Sequence, residues 1–129
     1  MNFENYTIKA QEAIAEANKL ARKNENQQIE PEHILYALLA DPQGVVPSIL
    51  KKFATDAASI SSELNQLINQ LPRVYGGNNG QVYLSQQTNK LFDSAEKEAQ
   101  ALKDEFISTE HLLLGITDNS DNAAKLLKN

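Results

Sequence analysis

No cysteine occurs among the 129 residues, which excludes disulfides and thiolate metal sites. No apolar run approaches the ~20 residues that a membrane-crossing helix needs. Positive charge is in the minority: 12 Lys and Arg stand against 17 Asp and Glu, a formal net charge of −5. The basic stripe expected of a nucleic-acid surface is therefore missing. The opening Met1-Asn2-Phe3-Glu4-Asn5-Tyr6 lacks the positive segment and apolar core of a signal peptide. The expectation is a cytoplasmic protein whose partners include neither nucleic acid nor membrane.

Catalytic signatures are scarce as well. There is no Gly-x-Ser-x-Gly elbow and no His-Glu-x-x-His metal pattern. Gly76-Gly77-Asn78-Asn79-Gly80 lacks the Lys-Ser/Thr of a phosphate loop and reads as a linker. Ser108 near His111 suits a helix cap better than a nucleophile. What remains is a binding module or a structural domain. At 41% hydrophobic and 22% charged residues the composition is that of an ordinary globular domain, and the length suffices for one core.

The only two histidines stand at equivalent points of an internal repeat. Ile29-Glu30-Pro31-Glu32-His33-Ile34-Leu35 returns 78 residues later as Ile107-Ser108-Thr109-Glu110-His111-Leu112-Leu113. Aligning 7–40 with 85–118 gives seven identities in 34 positions, and the small and apolar pattern matches more widely. Two copies at this period are two supersecondary units, each poorly able to bury its apolar face alone.

Thr7 caps a helix reaching about Lys23, with Ala10, Ala13, Ile14, Ala17 and Ala21 as its apolar stripe. Ser85 holds the same place before Thr88, Leu91, Phe92, Ala95, Ala99 and Leu102. Pro31 opens a helix to about Leu39, and Glu32 places a negative charge in its first turn. Ser108 and Glu110 do the same in the second copy. Each histidine is read as holding its helix start and the preceding connector; a metal site is disfavoured because adjacent Glu and His point about 100° apart on a helix. Short helices follow at about 45–53 and 122–128. A fourth, over 55–70 and capped by Thr55 or Asp56, presents Ile60, Leu64, Leu67, Ile68 and Leu71 and ends at Pro72. In the joint that follows, Val74, Tyr75, Val82 and Tyr83 are expected to anchor on the core.

These features predict an all-α fold of seven helices and no sheet. Its units are a first repeat over 1–71, a joint over 72–84, and a second repeat over 85–129 that lacks its fourth helix. The missing helix predicts under-covered apolar surface around Leu112, Ile116, Leu126 and Leu127, to be met by pairing with a second copy or by a loose last helix. The chain thus reads as an isolated domain ended early.

The opening Phe3-x-x-Tyr6-Thr7-x-Lys9-Ala10-Gln11, the two Glu-His helices, and the joint Leu71-Pro72-Arg73-Val74 with Gly80-Gln81-Val82-Tyr83-Leu84-Ser85 resemble one family over the whole chain. It is the N-terminal double repeat of the Clp ATPases, most like the ClpB disaggregase branch. The resemblance implies two four-helix repeats related by a pseudo-twofold axis. They would be tethered before ATPase rings of a hexamer that works with the DnaK system, and would engage unfolded or aggregated polypeptide for delivery to the rings. ATP and Mg belong to the ATPase modules, so this domain itself is implied to be non-catalytic and without cofactor. The family's substrate-handling polar residues fall on Thr7, Asp104 and Glu110. His111 lies beside them, and Ser94, Glu98 and His111 hold positions where some relatives carry leucine in an apolar groove. A second reading, by resemblance to the ClpC and ClpA branches, is an adaptor-docking or phosphoarginine-reading domain in which Glu32 and Glu110 contact guanidinium groups.

Overall fold

The computed structural model describes residues 3–53, 55–74 and 82–128. Among these lie seven helices: α1 (Ile8–Lys23), α2 (Pro31–Ala40), α3 (Val45–Lys52), α4 (Ala57–Asn69), α5 (Gln86–Ala101), α6 (Thr109–Thr117) and α7 (Asn122–Lys128). The caps follow from side-chain chemistry. Thr7 Oγ1 accepts from the Ala10 amide at 3.2 Å, and Ser85 Oγ from the Thr88 amide at 3.1 Å. Asp56, not Thr55, caps α4 by accepting from the Ala58 amide at 3.1 Å. Such caps satisfy amides that have no partner within their helix.

The predicted stripes are the buried faces. α1 buries Ala10, Ala13, Ile14, Ala17 and Ala21, and α5 buries Thr88, Leu91, Phe92, Ala95 and Ala99. Leu102 is a correction: it lies past the end of α5 and is exposed. The most extensive helix packing joins α5 to α6, and Gly115 lets the two backbones approach there. A Cβ there would stand 2.6 Å from the Leu91 carbonyl oxygen and 3.1 Å from the Ala95 nitrogen. Phe92 anchors the amino-terminal segment, with Phe3 and Tyr6 edge-on to it at centroid distances of 5.4 and 6.1 Å.

A second correction concerns the expected absence of a sheet. β1 (Gln28–Ile29) and β2 (Tyr83–Leu84) form a two-stranded parallel pair, with Gln28 opposite Tyr83 and Ile29 opposite Leu84. A single bridge joins Tyr6 to Ile107. The cause lies in the caps, whose backbones are extended. The chain therefore enters each helix as a short straight segment, and segments running side by side pair their amides. The Ser85 amide donates to the Ile29 carbonyl at 3.2 Å, and the Thr7 amide to the Ile107 carbonyl at 2.9 Å. These two bonds are images of each other under the 78-residue shift with the partners exchanged, the reciprocity of a two-fold relation. The small sheet thus stitches the repeats together. Thr88 adds a buried tie, its hydroxyl donating to the same Ile29 carbonyl at 2.6 Å.

The missing fourth helix of the second repeat does not bare the residues expected. Leu112 and Ile116 are wholly buried, and Leu126 and Leu127 pack partly against the core. α6 packs on α5 and also meets α1, α2 and α3, while α7 reaches α2 and α4 of the first repeat. In the joint, Val82 packs on the core and Val74 is half-buried, but Tyr83 turns outward. Tyr75 and the glycine run lie outside the described residues.

Candidate functional site

Each Glu-His helix starts with the same device. In the first repeat the Glu30 amide donates to His33 Nδ1 at 2.8 Å, so the proton must sit on Nε2, which bonds to Asn26 Oδ1 at 2.9 Å. In the second repeat the Ser108 amide donates to His111 Nδ1 at 2.8 Å, and Nε2 donates to Asp104 Oδ2 at 2.8 Å. The imidazole therefore ties the helix start to the connector before it. His33 is fully enclosed, and burial lowers its pKa to about 4.

Ser108, His111 and Asp104 thus form an unbroken hydrogen-bonded series, with Ser108 Oγ 3.0 Å from His111 Nδ1. It is nevertheless no nucleophile–base pair. The one lone pair of Nδ1 already accepts the Ser108 amide, which leaves no base to take the hydroxyl proton. The first repeat builds the same cap with Glu30 in the serine's place.

The histidines match; their surroundings do not. Asn26 is 2% exposed, whereas Asp104 is open to solvent. Glu32 is 6% exposed at the start of α2, whereas Glu110 is open at the start of α6. Burial, then Glu30 and Asp121, push the Glu32 carboxyl up against the lowering effect of its own backbone amide. In the second repeat a hollow of about 400 Å³ lies among Asp104, Glu105, Ser108, Glu110 and His111. Three apolar side chains complete it: Leu102, Phe106 and Leu114, exposed by 59%, 48% and 38%. Its acidity continues along α5, where Asp118 bonds to Glu98 and, by that bond and by charge, raises its carboxyl.

Of the residues singled out from the sequence, Asp104, Glu110 and His111 come together here. Thr7 lies one bridge away, through its amide bond to Ile107, and its hydroxyl is spent on the α1 cap. Glu32 is apart, buried at the equivalent place of the other repeat. Leu102, Phe106 and Leu114 were missed as site residues. Their signal was available in the repeat itself, which has Asn24, Gln28 and Tyr36 at those positions. The larger cleft, of about 590 Å³ between α1 and the α2–α3 turn, has its one cation tied up, since Lys9 lies 3.5 Å from Asp41 and 3.9 Å from Glu12. No described helix is long and apolar enough to cross a membrane.

Residues 5–129 match the family model of the Clp repeat (R) N-terminal domain. The chain is 38% identical over 128 residues to the chaperone protein ClpB of Porphyromonas gingivalis, covering 99% of this chain and 14% of that one. It is 40% identical over 119 residues to the chaperone protein ClpB 1 of Synechococcus elongatus, covering 92% and 13%. It thus spans about one seventh of the length of these relatives. In fold it is similar to the Hsp104 N-terminal domain of Candida albicans, with a TM-score of 0.84 at 23% identity over 97% of this chain and 81% of that one. The N-terminal domain of the ClpV1 ATPase of E. coli gives the same TM-score and identity over 98% and 79%.

Proposed function

The chain belongs to the family of Clp repeat N-terminal domains, and from that premise we propose that it is the substrate-recognition domain of a ClpB-type protein disaggregase. In this reading it engages unfolded or aggregated polypeptide in the cytoplasm and passes it to the ATPase rings of a hexamer served by the DnaK system. The units are a first repeat over 1–71, a joint over 72–84 and a second repeat over 85–129. The site is the second-repeat hollow, with Asp104 and Glu110 as polar contacts and His111 holding Asp104 in place.

One observation carries the reading. Exposed Leu102, Phe106 and Leu114 line the hollow beside three open carboxylates, Asp104, Glu105 and Glu110, a mixed surface fit to hold polypeptide with apolar side chains out of water. Its small size favours weak, reversible binding, as a module that must release its cargo requires. The reading by analogy with phosphoarginine-binding or adaptor-docking domains uses Glu32 and Glu110 as a matched pair, yet the enclosure of Glu32 closes one of the two to a guanidinium group.

Binding of a fluorescent, reduced and alkylated protein that cannot refold tests the proposal. Asp104→Ala with Glu110→Ala is expected to weaken binding severalfold, with the domain still folded and its melting temperature lowered only by the several degrees that the lost His111 partner accounts for. Unchanged binding by the double variant would remove these residues from the site.

A further inference from the structure

α1 presents Lys9, Glu12, Ala13 and Glu16 to the cleft of about 590 Å³ that it forms with the α2–α3 turn. These residues stand at i, i+3, i+4 and i+7, one side of the helix over about 10 Å of its length. The other walls are Ala37, Leu38 and Asp41 of α2 and its end, with Val45 and Val46 of α3. Ala13, Ala37, Leu38 and Val46 are buried and make an apolar floor, while Val45 stands 47% exposed at its edge.

At the matching place in the second repeat the space is taken up from within. Leu91, wholly buried, stands for Ala13. Gly115 stands for Ala37 and brings backbone against backbone, since a Cβ there would lie 2.6 Å from the Leu91 carbonyl oxygen. In the first repeat both positions carry a methyl group, and the cleft remains between the helices. The fourth helix of that repeat does not close it: α4 packs on α2, α3 and α7 and contributes nothing to the lining.

The rim is acidic in this copy alone. Glu12, Glu16 and Asp41 have Lys90, Ser94 and Asn119 as their counterparts. Lys9, the one cation in the lining, is already held by Asp41 at 3.5 Å and Glu12 at 3.9 Å. Lys19 reaches Glu16 from outside the cleft, at 4.0 Å. Three carboxylates against one lysine make the charge complement a cation. The volume is that of clefts that hold ligands, and a floor of methyl groups lets the backbone of a third helix come close.

We propose that this cleft is a docking site for a short amphipathic helix of another protein, one in which lysine or arginine flanks an apolar stripe. The stripe, at i, i+3, i+4 and i+7, lies on the alanine floor, and the cations meet Glu12, Glu16 and Asp41. The linings of this cleft and of the second-repeat hollow share no residue, so the domain holds a docked partner and a client polypeptide at once. The site does not depend on the reading of the hollow.

The probe is a capped, alanine-based peptide of about 15 residues, long enough to hold a helix, with leucines at i, i+3, i+4 and i+7 and lysines flanking them. It is titrated into the domain by NMR beside two versions, one with glutamates for the lysines and one with a central proline that breaks the helix. The expected result is shifts at residues 9–16 and 37–46. Each altered peptide should bind about tenfold more weakly, through the loss of two or three exposed ion pairs or of the helix. Glu12→Lys with Glu16→Ser, both at exposed positions and both taken from the second copy, should remove the advantage of the basic peptide over the acidic one. Ala13→Leu should fill the cleft and abolish binding; if that variant fails to fold, the Glu12 and Glu16 pair decides. An unfolded alkylated protein, titrated in parallel, should leave residues 9–16 unmoved. No shifts at the cleft, equal binding of the three peptides, undiminished binding by a folded variant, or an unfolded protein that shifts the cleft as the helix does would overturn the proposal.

Discussion

Gly115→Ala tests whether the repeat depends on the close crossing of α5 and α6. The added Cβ would lie 2.6 Å from the Leu91 carbonyl oxygen, 3.1 Å from the Ala95 nitrogen and 3.3 Å from the Ala95 Cβ. The two nearest atoms are backbone, so no side chain can rotate away and the helices must separate. Even a gap of ~0.5–1 Å forfeits a quarter to a half of the dispersion attraction across the crossing, and overpacking a filled core costs about 1–3 kcal/mol. Alanine returns about 1 kcal/mol through its higher helix propensity. A 2.6 Å approach to backbone places the cost in the upper half of that range, so the expected net loss is about 1–2 kcal/mol, or a fall in Tm of about 4–8 °C for a domain of this size. Urea unfolding should show a lower midpoint at an unchanged m-value. Gly115→Val, which is bulkier, should lose more. A variant as stable as wild type, or more stable by the propensity gain, would show that glycine does not serve the crossing.

Because His33 is neutral in the fold, with its pKa lowered to about 4, the unfolded chain takes up a proton that the folded chain refuses. Stability should therefore fall as pH drops below the ordinary imidazole value, by about 2 kcal/mol between pH 7 and pH 5, and His33→Gln should flatten that slope in urea titrations. Glu32 works in the opposite sense: its raised pKa gives stability in acid that is lost as pH rises through it. Glu32→Gln should accordingly melt higher than wild type at pH 7, with the difference shrinking toward pH 4. Asp104→Asn should melt within a few degrees of wild type, because Asn26 does the same work beside His33, whereas Asp104→Ala leaves the His111 N–H unpartnered and should cost about 1 kcal/mol.

The helices were legible because their information is local. The alanine stripe of α1 repeats at helical spacing, and Thr7, Ser85 and Ser108 are cap residues in the right place. The Glu-His motif also showed its structural duty, since a histidine three residues past a cap can reach only backwards. The β1–β2 pair was not legible: two residues have no period, and the partners lie more than fifty residues apart in sequence. Burial of Glu32 and Asn26 was hidden for a similar reason. Asn26 is covered by Pro72 and Arg73, and Glu32 is crowded by Asp121; neither neighbour is marked by local pattern. Leu102 was placed in the core because it continues the α5 spacing, but the positive φ of Lys103 ends that helix and leaves Leu102 outside. The open half of the site thus became visible only once each copy could be set against the other.

The most direct test of the central claim is an NMR titration of the domain with an unfolded, alkylated protein, mapping the amides that shift. The account predicts perturbations clustered at residues 102–106, 110, 111 and 114, and their loss in Asp104→Ala, Glu110→Ala. Perturbations at the α1–α2 cleft around Lys9, Ala13 and Val45, or an unfolded client that moves no amide at all, would contradict it.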